Sequence, residues 1–550
     1  MSSVQKVIDT NAKFLDVVNQ ILHNAGVLFE KRIEMILELL HGSFERTPCS
    51  VRDQLTDTLE KISIPKEELF QKVFMLYGSK YLKKEFDQFY TPVTVGQFLC
   101  GICKPKKSMI DPACGTGDLV VSYTGSVTLW DISKDVTDLT VQNFAFQSKK
   151  ATIVTRDSIQ DTAESNESYE YAIVNPPFGT RTLVSDRDIL DKYTLGSGKK
   201  KQEVGILFVE RSMNLLKENG LMSIILPNGY FGNTSSAYVE LRKFLLQFRV
   251  VGIIKLPQNT FKRSGTGVST NILIVSKTRP TSPYDVFIEE VVDIGYELSK
   301  KNTPFKYRKN DDGFVLDSSG HPILQNDLSA VLERLKTFAH DHKIANIERP
   351  TKKDVSYQSF HTGSLDDDCI LDISRYLRSY TGVVANTSDK VAIKDLLNPD
   401  YSCTFKKSNS EEYVYIDIKE INTPLHRGRK MIGHELPSRA KYRVEKNDLL
   451  VSRLKGAITF TVVMEDKENL VCTNGVCVLR PKDTDAMLLL FAGLFSSDFK
   501  IQHEALTTGS IMESISDEDL KNIVVPASVD VGRFRRILDS VSVLQTDLPQ

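Results

Sequence analysis

Short apolar runs alternating with amphipathic stretches dominate the middle of the chain. The runs at 108–112, 127–132, 151–155, 169–174, 220–227, 250–256 and 271–276 have the length of buried strands. Segments at 139–147, 205–217 and 235–248 instead repeat their apolar residues at helical spacing. Strands alternating with helices predict an α/β fold with a doubly wound, mostly parallel sheet, in which ligands sit at the carboxyl ends of the strands.

The flanks read differently. Residues 1–80 are helical in pattern, with Phe14, Val17, Val18, Ile21 and Leu22 and then Ile33, Ile36, Leu37 and Leu40 at helix spacing. They predict a helical region that packs on the next domain, or one that clamps DNA or a partner subunit. After 81–280 the chain turns polar and irregular over 281–385, with Lys300-Lys301-Asn302-Thr303-Pro304 and Asn310-Asp311-Asp312-Gly313, and reads as a connecting region containing one helix at 327–342. From 386 to 550 short strand patterns at 413–418, 448–452, 458–463 and 475–479 precede a helical stretch at 488–495, which predicts a mixed α+β domain.

Composition changes this picture little. A chain of 550 residues is too long for one core, and 41% hydrophobic with 26% charged residues is ordinary for a globular protein. A net charge of −1 leaves nucleic acid open as a partner, because a neutral total can hide a basic cleft. The polar start Met1-Ser2-Ser3-Val4-Gln5-Lys6 and the lack of a bilayer-length apolar run lead us to expect a cytoplasmic protein with no membrane contact. Eight scattered cysteines fit reduced thiols. Cys100 and Cys103 lie in the apolar-periodic segment 95–103 and are expected on a buried helix face, and Cys472 and Cys477 have no His/Cys cluster nearby, so no metal is expected.

The chemistry is concentrated in two stretches. Ile110-Asp111-Pro112-Ala113-Cys114-Gly115-Thr116-Gly117-Asp118 reads as a strand entering a glycine turn that lets backbone approach a nucleoside ligand. Ile173-Val174-Asn175-Pro176-Pro177-Phe178 reads as a strand ending in a rigid corner, with an amide before it and an aromatic ring after it. Only about a dozen residues separate the turn from Asp131, which argues against a NAD enzyme and predicts a short first helix.

Together the two motifs resemble those of adenine-specific (N6) DNA methyltransferases that use S-adenosyl-L-methionine, and residues 202–277 are similar to the modification subunits of type I restriction-modification systems. The resemblance implies a Rossmann-like methyltransferase fold and base flipping. It implies cofactor contacts from Tyr90 and Thr91 in the segment Asp87-Gln88-Phe89-Tyr90-Thr91-Pro92, from Asp111, Ala113, Gly115, Gly117 and Asp118, from Asp131 and Ile132 after the next strand, from Asp157, and from Asn175. Without it, Thr91-Pro92 reads only as a helix start.

Methyl transfer to an exocyclic amine needs an acceptor whose lone pair is turned toward the donor. Asn175 and the Pro176 carbonyl, held by Pro177, suit that task, and Phe178 suits stacking of an extruded base, with Phe261 as the candidate second ring. The segment 386–550 is similar to the target recognition domains of type I specificity subunits, through Val444-Glu445-Lys446-Asn447-Asp448-Leu449-Leu450, Thr508-Gly509-Ser510-Ile511 and Asp519-Leu520-Lys521-Asn522-Ile523. Candidate contacts to double-stranded DNA are Lys199, Lys200 and Lys201 after the proline corner, and Arg427, Arg429, Lys430, Arg439, Lys441, Arg453 and Lys455 in the C-terminal part.

Rival readings are an RNA or protein-glutamine methyltransferase, since planar amides fit the same pocket, and a specificity subunit with a dead catalytic domain. The large C-terminal domain speaks against the first and the intact motifs against the second. Residues 1–80 are too few for a nuclease domain, so a homodimer or a separate restriction subunit is the further partner expected.

Overall fold

In a computed structural model of the chain, the anticipated strands gather into one sheet of nine. The structure describes residues 3–28, 31, 32, 35, 36, 38, 39, 45–62, 64, 68–72, 90–160, 166–177, 182–262, 267–299, 304–352, 355–385, 388–456, 458–464, 468–509 and 513–546. The chain divides into two compact units, Met1–Leu371 and Asp372–Gln550.

The first unit opens with helices α1 (Ser3–Asn24) and α2 (Cys49–Glu60), followed after the helical segment 68–72 by α3 (Val93–Ile102). Then come β1 (Ser108–Asp111), β2 (Ser126–Asp131), α4 (Lys134–Phe146), β3 (Thr152–Thr155) and β4 (Tyr169–Val174). The second half holds α5 (Val204–Leu215), β5 (Leu216–Pro227), α6 (Ser236–Leu245), β6 (Arg249–Lys255), β7 (Thr270–Ser276), β8 (Asp285–Glu290), α7 (Leu328–Asp341) and β9 (Gln358–His361). The spatial order is β9-β8-β6-β7-β5-β4-β1-β2-β3. β1 to β6 and β8 run parallel, whereas β7 runs antiparallel to β5 and β6, and β9 antiparallel to β8.

The sheet is buried through its centre. Every residue of β7 is inaccessible, as are residues 220–227 of β5, which is why these strands read as unbroken apolar runs rather than alternating ones. Helices α3 and α7 pack in the same core, through Val95, Phe98 and Leu99 on one and Val331, Leu335 and Phe338 on the other. The N-terminal helices bury Phe14, Val18, Leu22 and Leu55 in a separate cluster that includes Phe70 and Phe146 of α4, the last two stacked at 6.0 Å between ring centroids.

Two expectations are corrected. Residues 281–385 are not a connecting region up to Leu371, since β8 and β9 complete the sheet and α7 covers it. No helix follows the glycine turn: 112–125 form successive turns, with Val120 donating to Gly117 at 3.3 Å and Tyr123 to Val120 at 3.0 Å. Helix α3 begins after Pro92, where Thr91-Pro92 reads as a helix start, and has no side-chain cap.

The second unit is mixed α+β. A four-stranded sheet contains Glu412–Ile416, Arg429–Ile432, Ala440–Arg443 and Leu470–Thr473, and a three-stranded one contains Leu449–Ser452, Phe460–Val462 and Val476–Leu479. Helices Thr484–Leu494 and Ser497–Leu506 pack Leu488, Phe491 and Phe499 against Leu449, Val451 and Phe460. Among the described residues no helix is long and apolar enough to cross a membrane.

Candidate active site

Strands β1 and β4 are parallel neighbours, with Met109 beside Tyr171 and Ile110 beside Ala172. From β1 the chain order runs outward through β2 and β3, and from β4 outward through β5, so a topological switch point lies between them. The glycine turn and the proline corner therefore leave the sheet side by side at one edge.

Asp111 closes β1 and is buried, at 1% exposure. Its Oδ1 accepts the Ala113 N–H at 3.0 Å, while Oδ2 is buried without a partner. Burial, with Asp131 nearby adding to it, pushes the Asp111 carboxyl up to about 8. Both turn glycines adopt left-handed backbone, Gly115 at φ +51° and Gly117 at +80°. They differ in surroundings. A Cβ on Gly117 would lie 2.7 Å from the Phe144 ring, whereas one on Gly115 would meet nothing within 4 Å, which leaves open space above the turn.

The turn is braced from below. Thr140 Oγ1 donates to the Gly115 carbonyl at 2.7 Å, and Asn143 Nδ2 donates to the Thr116 carbonyl at 2.9 Å and to Asp118 Oδ1 at 3.1 Å. Asp118 Oδ2 accepts from Thr116 Oγ1 at 2.7 Å and from Gln71 Nε2 at 3.2 Å. Asp118 thus shapes the loop from within.

Asp131, at the end of β2, accepts the Gly115 N–H on Oδ2 at 3.1 Å and the Ser133 N–H on Oδ1 at 3.0 Å, and burial raises its carboxyl. Ile132 beside it is 62% exposed, an apolar surface on the rim. Asp157 Oδ1 caps the following turn, accepting from Ile159 at 2.9 Å and Gln160 at 3.1 Å. Backbone bonds tie the strand ends together, from Cys114 N–H to the Trp130 carbonyl and from Arg156 N–H to the Asp131 carbonyl, each at 2.9 Å.

On the other side of the switch point, Asn175 Nδ2 donates to Thr91 Oγ1 at 3.1 Å, and Asn175 Oδ1 is buried without a partner. Pro176 is buried and Pro177 half-buried. Thr91 is 4% exposed, and burial holds the neighbouring Tyr90 hydroxyl in its neutral form. Phe178 lies outside the described residues. Phe261 is corrected: its ring is fully buried in the core with Leu256, Ile272 and Ile274, so it has no face free to stack on a base. Sequence reasoning passed over Gln71, Thr140 and Asn143, whose partners lie far along the chain and leave no local signal.

Many of the basic candidates are engaged by carboxylates. Lys199 pairs with Glu240 at 2.7 Å, Arg429 with Glu420 at 2.6 Å, Arg439 with Asp417, Arg453 with Asp517 and Lys455 with Glu513. Lys200, Lys201, Arg427, Lys430 and Lys441 are exposed. Cys100 and Cys103 are buried at the end of α3, with thiols directed at the carbonyls of Leu119 and Leu99.

Residues 71–313, which span the turn, the corner and most of the sheet, match the family model described as N-6 DNA Methylase. These residues are similar to the N-6 DNA methylases. The chain is 25% identical over 247 residues to the type I restriction enzyme EcoEI methylase subunit of Escherichia coli, covering 40% of this chain and 49% of that protein. It is 23% identical over 287 residues to the MjaIX methylase subunit of Methanocaldococcus jannaschii, covering 46% and 50%. The match thus spans about half the length of these curated relatives. Among solved structures, the methyltransferase subunit of a type I restriction-modification system from Streptococcus thermophilus superposes with a TM-score of 0.41 at 15% identity, covering 66% of this chain and 80% of that one.

The matched region has room and partners for S-adenosylmethionine. The unpartnered buried oxygens of Asp111 and Asn175 and the open space over Gly115 are what a ligand with amine donors would complete.

Proposed function

We propose that this chain transfers a methyl group from S-adenosylmethionine to the N6 amine of an adenine extruded from double-stranded DNA. The observation that carries the proposal is the Asn175 amide, with its donor end engaged by Thr91 and its acceptor oxygen buried and waiting. A buried acceptor without a donor is costly, and an exocyclic amine supplies that donor.

Asp111, Gly115, Gly117, Asp131 and Ile132 would hold the cofactor, with Tyr90, Thr91 and Asp157 around it, and Asp118 bracing the turn. When bound, S-adenosylmethionine supplies a methyl group activated by its sulfonium. The rest of the work falls to this chain. Asn175 Oδ1 and the Pro176 carbonyl accept the two amine hydrogens, drawing the nitrogen toward tetrahedral geometry with its lone pair facing the methyl. Rigid Pro176-Pro177 fixes both acceptors, so catalysis is mainly positioning. No strong base is needed: the proton is lost after the nitrogen gains its fourth bond. Phe178 is proposed to stack on the extruded ring.

Residues 386–550 are proposed as the target recognition domain, with Arg427, Lys430 and Lys441 available to phosphates or base edges. The protein is proposed to act in the cytoplasm, as a homodimer or with a separate restriction subunit. The test offers tritiated cofactor to duplex DNA, RNA and protein. Label recovered as N6-methyladenine from DNA supports the proposal, and label confined to RNA or protein would refute it.

A further inference from the structure

Gln71, on the helical segment 68–72, has its side chain buried at 1% exposure. Its Nε2 donates to the Thr91 carbonyl at 2.8 Å and to Asp118 Oδ2 at 3.2 Å. Both partners are acceptors, which sets the orientation of the amide: turned over, its oxygen would face a carbonyl and a carboxylate. Oε1 is then left buried with no partner.

This amide stands where the two halves of the site meet. Thr91, whose carbonyl it holds, receives the Asn175 amide on its hydroxyl, and Asp118 ends the glycine turn. On the proposed reading the methyl leaves the cofactor beside Asn175. The sulfonium and its amino-acid arm therefore lie on the Thr91 side, and the ribose and adenine on the side of Asp131 and Ile132. That arm carries a single hydrogen-bond donor, its ammonium. The surroundings also favour a cation, because the Asp118 carboxyl accepts from the same amide and the buried Asp111 carboxyl stands at the start of the same turn.

We infer that Gln71 is a cofactor contact contributed by the N-terminal helical region, its Oε1 accepting a hydrogen bond from the ammonium of the amino-acid arm while its Nε2 holds Thr91 in place for Asn175. This rests on the S-adenosylmethionine reading above.

Calorimetry on the full chain tests it with two probes, S-adenosylhomocysteine, which keeps the amino-acid arm, and 5′-methylthioadenosine, which lacks it. Gln71→Met preserves length and removes both polar ends. It is expected to weaken S-adenosylhomocysteine about tenfold or more, as when a hydrogen bond to a charged group is removed, and to leave 5′-methylthioadenosine unchanged. Retained binding of the second probe also reports that the variant folds. If Gln71→Met does not fold, Gln71→Asn, which withdraws the oxygen by one methylene, serves the same comparison. Equal losses for both probes, or no loss for either, overturn the assignment of Gln71 alone. Failure of the unaltered protein to bind either probe overturns the cofactor reading and this inference with it.

Discussion

The side chain of Asn175 donates to the Thr91 hydroxyl across 84 positions of sequence, at 3.1 Å, and its own oxygen is left buried and unpaired. The bond fixes which end of the amide faces the reaction. Asn175→Ala is expected to reduce methyl transfer by about a hundredfold or more, the scale for removing one preorganised polar group, with cofactor affinity nearly intact. Asp131→Ala should show the opposite, a weakened cofactor. Calorimetry beside a transfer assay separates them, and identical behaviour of the two variants would contradict the roles assigned.

Thr91→Val retains shape and removes the hydroxyl. The Asn175 amide then loses its anchor, and transfer should fall about tenfold at saturating cofactor, near the net value of one hydrogen bond. The readout is kcat, and an unchanged kcat would show that the anchor is not needed.

The two turn glycines make a contrasting pair. Gly117→Ala drives a methyl into the Phe144 ring, 2.7 Å away, and keeps a positive φ, so the protein should lose roughly 2 kcal/mol or more of stability. Gly115→Ala adds its methyl to open space at a cost of about 1 kcal/mol for the left-handed backbone, and should instead obstruct the ligand. Thermal unfolding and ligand titration on both variants would reveal whether the costs divide this way.

Burial holds Asp111 up to about 8, against an ordinary carboxyl value of 3.8. The folded state therefore favours the protonated acid. Below about pH 4 both folded and unfolded chains carry this proton and the group adds no penalty; as pH rises the unfolded chain releases it first, and the unliganded protein loses stability until pH passes about 8. A cation binding beside Asp111 needs the ionised form, so cofactor affinity should climb as pH rises toward 8. Asp111→Asn should flatten both profiles, as followed by unfolding and by calorimetry at a series of pH values.

In the C-terminal unit the surface residues Arg427 and Lys430 should govern DNA affinity, and Arg427→Ala with Lys430→Ala should lower the slope of log affinity against log salt by about one for each phosphate no longer neutralised. Arg453→Ala, which strips a partner from Asp517, should act mainly on the stability of that unit. Filter binding at several salt concentrations, set beside unfolding curves, tells the two effects apart.

Much of the fold was legible because the central strands are buried on both faces and appear as plain apolar runs. β4 falls on the predicted 169–174, and the other anticipated strands lie within a few residues of their observed ends. What escaped has physical reasons. β8 is a short strand ending in Glu289 and Glu290, and β9 is only Gln358–His361, so neither stands out from the polar sequence around it. That Asp111, Gly115, Asp131 and Asn175 come to one edge of the sheet was legible because each sits at or just past the end of an apolar run, in or beside a motif with a family resemblance. Thr91 as the support of Asn175 was not, since a Thr-Pro pair has a good local explanation as a helix start. Phe261 was misread because an aromatic ring in a loop looks the same in sequence whether it faces a pocket or the core.

Where many nucleotide sites place the first turn of a helix, this chain has only turns after Gly117, and three carboxylates, Asp111, Asp118 and Asp131, occupy the vicinity. No helix N-terminus follows the glycine turn to welcome a diphosphate bridge, and an anion there would hold the buried acids in their neutral form rather than pair with them. The same edge is hospitable to a guest that carries its own positive charge, so ATP and dinucleotides should be turned away by electrostatics before shape is ever consulted.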